Sequence, residues 1–410
     1  MGKYAWTFQG FAVLIGFNFL LIETPIIAAM LGGQSGKSLE SWSILVYSLA
    51  FCVAQVVNIF GSHLAEESAR IIVGLVSACL ALFVIPLAVL IPISELAVAV
   101  CFVCTAIYGF GSSLFQSTLF GIASRSENIA YMGKFSFGHS LAGIPCWPLQ
   151  LLARACMIGS KVEVFLTIIL AAILTSFSSY ILKRYISTQA STCPEQEVVM
   201  PVLRLVGPHS FDGCDDSPRP AACTQLVASD LCRSPENDPK YEEPGLFRGV
   251  AMHAFNLWCT CLVAYACFPT EVYSWSHNWD HQTFAFVSVF VFLYQLSDCC
   301  FRYFVDLIPR IPSKRMILVF NIVRLLIAAS GFYLTHADTL GLSHWSFRAL
   351  LIVFHSACSA CIITWCLIIG PEEFTEPDTK TKAGYILGLA IVLGDICGST
   401  LGGIIKETTT

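Results

Sequence analysis

Gln295, Asp298 and Arg302 stand together inside one apolar run, Thr283 to Phe304. Four residues apart on a helix, Asp298 and Arg302 share a face one turn apart and neutralise each other. Gln295, three residues before Asp298, adds an amide donor and acceptor to that face. An acid or base at the centre of a bilayer costs roughly 2.5–3.5 kcal/mol on insertion scales, so such a face must look into protein or a wetted cavity. Either the three groups bind a small polar solute or ion, or they glue helices together and fix their register. Other polar residues sit at similar depth: Glu23 beside Thr24 and Pro25, Gln116 among Gly109, Gly111 and Gly121, and His139 within Gly138–Gly143. Arg324 and Asp395 complete the set. Gln116 and His139 are either ligands or interhelical hydrogen-bonding groups. Glu23 and Asp395 are either solute- or proton-binding acids or partners of arginines such as Arg324 and Arg348.

The elements that must position these groups are membrane helices. Of the 410 residues 56% are hydrophobic and 12% charged, and the mean hydropathy is +0.70, well outside the range of a soluble chain. A net charge of -5 offers no basis for a nucleic-acid partner. Nineteen cysteines suggest a disulfide scaffold until they are placed; most, such as Cys101, Cys104, Cys358 and Cys361, fall inside apolar runs, where a thiol packs as a small hydrophobe. There is no His-rich metal cluster, nucleophile elbow or phosphate loop, so neither an enzyme nor a cofactor is expected.

Runs of 17 or more predominantly apolar residues predict eleven spans, an all-α polytopic membrane protein. Six lie between Phe8 and Leu182: 8–31, 43–61, 71–90, 96–123, 136–152 and 162–182. Five follow: 249–268, 283–304, 316–334, 345–369 and 383–405. The first run, beginning after seven residues, reads as a span and not as a signal peptide. Residues 183–248 are polar and rich in proline (Pro194, Pro201, Pro208, Pro235, Pro244), the composition of a disordered linker. The expected organisation is therefore an N-terminal bundle, 1–182, a linker, 183–248, and a C-terminal bundle, 249–410. Lys3, Arg70, Arg125, Lys134, the linker, Arg310, Lys314, Arg315, Lys380 and Lys382 fall on one side, against Lys37, Arg154, Lys161 and Lys406 on the other. That bias predicts a cytoplasmic N-terminus and linker and an extracellular C-terminus. Two bundles joined by a long linker suit alternating access around a site between them.

The order of several short motifs is similar to that of a known family. Gln116-Ser-Thr-Leu-Phe-Gly-Ile-Ala123, then Tyr131, then Gly138-His-Ser-Leu-Ala-Gly143 resembles the signature of the equilibrative nucleoside transporters. Phe268-Pro269, the Asp298/Arg302 pair, Arg324, Gly370-Pro371 and Ala383-Gly384 also fall where that family has counterparts. Departures lie on the helices that would wall a pocket: His139 for a glutamine, Ser140 for a glycine, Gln295 for an asparagine, Phe301 for a glycine, and Glu23 with Thr24 in the first span. The resemblance implies a 6+5 fold like the major facilitator superfamily and passage of nucleosides or nucleobases, most simply at the plasma membrane. A nucleoside is neutral and carries a diol and a flat base, so it needs polar groups for hydroxyls and apolar surface for stacking. On this resemblance Gln295, Asp298 and Arg302 hold the ribose, while Gln116 and His139 read the base edge. Glu23, Arg324 and Asp395 remain for coupling or gating, including coupling to protons. The competing expectations are a non-transporting receptor or scaffold, and a transporter of another small polar solute.

Overall fold

The structure is a computed structural model that describes residues 3–61, 65–125, 130–155, 160–192, 245–268, 283–305, 308, 312–336 and 344–409. Every regular element among them is helical. The first seven are α1 (Lys3–Leu31), α2 (Gly33–Gly61), α3 (Glu67–Ala88), α4 (Ser94–Ser124), α5 (Ala130–Leu141), α6 (Cys146–Ala155) and α7 (Ser160–Thr192). Five more follow: α8 (Leu246–Cys267), α9 (Thr283–Val305), α10 (Lys314–His336), α11 (Trp345–Glu372) and α12 (Pro377–Thr409). Nine helices among the described residues are long and apolar enough to cross a membrane. The polar-faced α9 runs for 23 residues beside them.

Side chains are sorted as a bilayer demands. On α3, Ile72, Val76, Leu80, Phe83 and Leu87 point outward, as do Met316, Val319, Val323 and Leu326 on α10. Inside lie Gln9, Gln55, Asn58, Asn256, Asn321 and His355, each 3% exposed or less. This inverts the pattern of a soluble protein, because lipid accepts apolar surface and cannot satisfy polar groups. The described cysteines are free thiols, and Cys101, Cys104, Cys261, Cys358 and Cys366 are buried.

One span departs from expectation. The run 136–152 is not a single helix: α5 ends at Leu141, turns fill 142–145, and α6 resumes at Cys146. Pro145 has no N–H for the Leu141 carbonyl, and its ring crowds that carbonyl. The chain tightens instead, with Gly143 N donating to Ser140 O and Ile144 N to Leu141 O, both at 3.2 Å. The α7 helix also continues to Thr192, past the expected end at 182, and α8 begins at Leu246. The remainder of the expected linker, 193–244, lies outside the described residues, as do Pro269 and Arg310.

Met1–Tyr185 and Pro244–Thr410 form one compact unit. Small residues set its closest approaches. A side chain at Gly109 would strike the Tyr47 carbonyl of α2, one at Gly111 the Gly74 carbonyl of α3, and one at Gly121 the Tyr385 ring of α12. Three glycines of α4 thus receive three neighbours, the close packing that replaces hydrophobic drive within lipid. Gly394 and Gly398 of α12 lie against the Trp258 and Leu262 carbonyls of α8, a second face of close packing.

Candidate functional site

Between these helices lies a cavity of about 190 Å³, well above the roughly 10–15 Å³ needed to hold a single water. Its walls come from α1 (Leu14, Phe17, Asn18), α2 (Tyr47, Phe51), α4 (Gln116, Phe120), α5 (His139, Ser140) and α8 (Cys261, Tyr265). The rest of the lining comes from α9 (Tyr294, Gln295, Asp298, Arg302), α11 (Ile363, Leu367) and α12 (Ile391, Val392, Asp395).

The face of α9 is built as its spacing requires. Arg302 Nε donates to Asp298 Oδ2 at 2.9 Å, and the two side chains are about one-tenth exposed. Removing one member of a buried pair costs far more than an exposed pair is worth, so such pairs need further hydrogen bonds. Here α5 supplies them. Ser140 Oγ donates to the same Asp298 oxygen, and Arg302 Nη1 donates to Ser136 Oγ at 2.6 Å. Gln295 Nε2 reaches Asn18 Oδ1 of α1 at 3.4 Å, and Asn18 Nδ2 donates to the Leu14 carbonyl at 3.1 Å. The break after α5 leaves Gly143 beneath Gln295, where any side chain would overlap its amide.

Among the described residues, three polar atoms lining the cavity lack a hydrogen-bond partner: Gln116 Oε1, His139 Nε2 and Asp395 Oδ1. The His139 ring is clasped edge-on by Phe135 at 4.6 Å and Phe120 at 5.7 Å. Flat apolar surface stands nearby, with Phe17 stacked on Tyr47 at 4.4 Å and Phe268 on Tyr294 at 4.2 Å and 6°. The site therefore combines a neutralised ion pair, an amide, an imidazole, a second carboxylate and aromatic walls. Such a set offers hydrogen-bond donors, acceptors and flat apolar surface to a small solute.

All five residues singled out in sequence as ligands line this one cavity, together with Asp395. Glu23 and Arg324 do not line it. Glu23 is fully buried on α1. Arg324 is 1% exposed on α10, where its Nη1 donates to Asn321 Oδ1 at 3.2 Å and its Nη2 to the Thr260 carbonyl at 3.3 Å. The His355 ring lies 3.4 Å from the same nitrogen. Among the described residues Arg324 pairs with no acid; it ties α8, α10 and α11 together. Sequence reasoning passed over Ser136, Asn18 and the pairing role of Ser140. Their signals were present: Ser136 and Ser140 stand four apart on one face of α5, and Asn18 interrupts an apolar run.

No protein-family model matches the chain, and no curated protein sequence matches it. Solved structures do. The proton:xylose symporter XylE of the major facilitator superfamily, bound to 6-bromo-6-deoxy-D-glucose, aligns over 99% of this chain and 89% of its own, at a TM-score of 0.65 and 11% identity. The human organic anion transporter MFSD10 (TETRAN) aligns over 99% and 94%, at 0.60 and 13% identity. Identity that low carries the fold alone. This chain is a multi-pass membrane protein with the fold of major facilitator superfamily transporters.

Proposed function

We propose that the protein carries nucleosides or nucleobases across a membrane by alternating access, with the central cavity as its solute site. One observation carries the reading: five residues chosen as ligands from spacing and motif order, drawn from α4, α5 and α9, converge on a single cavity. Both structural neighbours are described as transporters, which supports transport as the class of activity. In this reading Asp298, Gln295 and Arg302 take the ribose hydroxyls, Gln116 and His139 meet the base edge, and the stacked aromatics hold its faces. Segments 1–182 and 249–410 rock as two bundles about the site, and 183–248 links them on the cytoplasmic side. The N-terminus is cytoplasmic, the C-terminus extracellular, and the plasma membrane is the assigned location.

Binding in such a site is modest, since a solute held tightly is not released. The deciding experiment is uptake of labelled adenosine and hypoxanthine into transporter-null cells, with a competition panel at two pH values. Competable, saturable uptake supports the reading. Its absence across the panel, with the protein confirmed at the cell surface, removes it. Proton coupling through Asp395 or Asp298 adds one requirement, that an imposed pH gradient drives accumulation; uptake indifferent to the gradient leaves a facilitative carrier.

A further inference from the structure

The cavity wall holds two carboxylates, Asp298 and Asp395, and one guanidinium, Arg302. That guanidinium is already engaged. It bonds Asp298, which also accepts from Ser140, so the α9–α5 side of the cavity is electrostatically closed. Asp395 has no such arrangement. Among the described residues it forms no ion pair and its Oδ1 has no hydrogen-bond partner; the Cys261 thiol bonds the carboxyl, and the phenols of Tyr265 and Tyr47 are its other ionisable neighbours. A thiol is a weak donor, and the Tyr47 hydroxyl is already within 3.3 Å of Ser112 Oγ. The close backbone contact with α8 is made by the neighbouring Gly394, while Asp395 faces the Cys261 and Tyr265 side chains of that helix and lines the cavity.

A carboxyl oxygen without a partner is an acceptor, and one left unmatched away from bulk water is costly. Gln116 Oε1 is a second acceptor in the same cavity without a partner among the described residues. A solute edge that satisfies these groups must therefore donate. Among flat bases the exocyclic substituent decides this: an amino group donates, whereas an oxo group sets its lone pairs against the carboxylate. Sites built to receive a hydrogen bond discriminate far more sharply than apolar pockets do, because the mismatched solute leaves them unpaired.

We infer that Asp395 is a specificity-determining residue that makes the cavity favour amino-bearing bases over their oxo counterparts. This rests on the nucleoside reading of the same cavity and adds the solute class within it. The Phe17–Tyr47 stack supplies the apolar face beside the acceptor.

The test uses pairs differing at that one substituent, adenosine against inosine and cytidine against uridine, measured as uptake and competition by the full-length protein in transporter-null cells. Wild type is expected to prefer the amino member by about tenfold, a small part of what polar discrimination can reach. Asp395→Asn, which offers a donor as well as an acceptor, is expected to bring both ratios within about threefold of unity by improving the oxo member. Asp395→Ser, smaller and uncharged, is a second variant should the first fail to reach the surface. Equal or reversed preference in wild type overturns the inference while leaving the nucleoside reading intact; reversal is what a protonated, donating Asp395 would produce. A variant at the surface that keeps the wild-type ratio overturns it as well. Uptake of neither member of either pair removes the nucleoside reading, and this inference with it.

Discussion

The Asp298–Arg302 pair concentrates the energetics of the site at the residue scale. Both groups are buried, and Ser140 and Ser136 complete their hydrogen bonding from across the helix interface. Asp298→Leu would strand the guanidinium, and breaking a buried pair this way costs about 3–5 kcal/mol. Asp298→Leu combined with Arg302→Met removes both charges, so the double variant should unfold at a higher temperature than Asp298→Leu alone. Thermal unfolding of the detergent-solubilised proteins measures this, and additive losses would sink the claim of direct coupling. A gentler change acts on Gln295. At Gly143 a methyl group would overlap the Gln295 amide, a flexible end that can swing away and release Asn18. Losing a hydrogen bond of about 0.5–1.5 kcal/mol predicts that Gly143→Ala raises the solute KM roughly two- to tenfold at unchanged surface abundance. A KM equal to wild type would detach Gln295 from solute binding. The residues involved here were half legible. Asp298, Arg302 and Gln295 announce themselves by charge and spacing, but Ser136 and Ser140 are ordinary helix residues until α5 is laid against α9.

At the scale of elements, small residues decide which helices meet. Gly138 of α5 faces the Thr7 carbonyl and Phe11 nitrogen of α1, and Gly10 of α1 faces the Phe135 carbonyl and His139 nitrogen in return. Backbone atoms cannot step aside as a side-chain tip can. Gly138→Val is therefore expected to part α1 from α5 at a cost at or above the usual 1–3 kcal/mol of overpacking, lowering the unfolding midpoint and surface abundance together. Gly403→Val makes the control, since nothing stands within 4 Å of a methyl group there. If both variants reached the surface equally, the α1–α5 seam would not be the tight contact described. The broken α5–α6 segment follows the same logic. Apolar content alone predicted a continuous span; Pro145 and its missing N–H interrupt it, and that interruption sets Gly143 under Gln295.

For the whole molecule, ion pairs and a tight helix seam gather at one end of the bundle. Arg125 pairs with Glu67 at 2.6 Å, Lys314 with Glu373 at 2.6 Å and Lys380 with Glu372 at 3.1 Å, contacts that join neighbouring helix ends. Just inside them α4 and α12 close on each other. Thr381 Oγ1 donates to the Gly121 carbonyl at 3.4 Å, and Gly384 packs on Ser124. Arg70 Nη1 donates to Asn58 Oδ1 at 3.0 Å and to the Tyr385 hydroxyl at 3.3 Å, linking α3, α2 and α12. Alternating access requires this seam to part. A Cβ at Gly384 would lie 3.3 Å from that of Ser124, near the separation a disulfide needs. Ser124→Cys with Gly384→Cys should thus cross-link under mild oxidation and cut uptake at least about tenfold, reversibly with reductant, while each single variant resists the oxidant. Full uptake through the cross-linked protein would exclude rocking of the two bundles at this seam.

The amino-acid order by itself determined that this is a polytopic helical membrane protein, roughly where its spans lie, and which intramembrane polar groups need an account. It could do so because the bilayer imposes span length and penalises buried charge without regard to fold. Only the tertiary structure decided that Gln116, His139, Gln295, Asp298, Arg302 and Asp395 share a cavity while Arg324 serves helix packing. That division depends on which helices become neighbours and how each is rotated, and backbone contact at glycines far apart in the chain sets both.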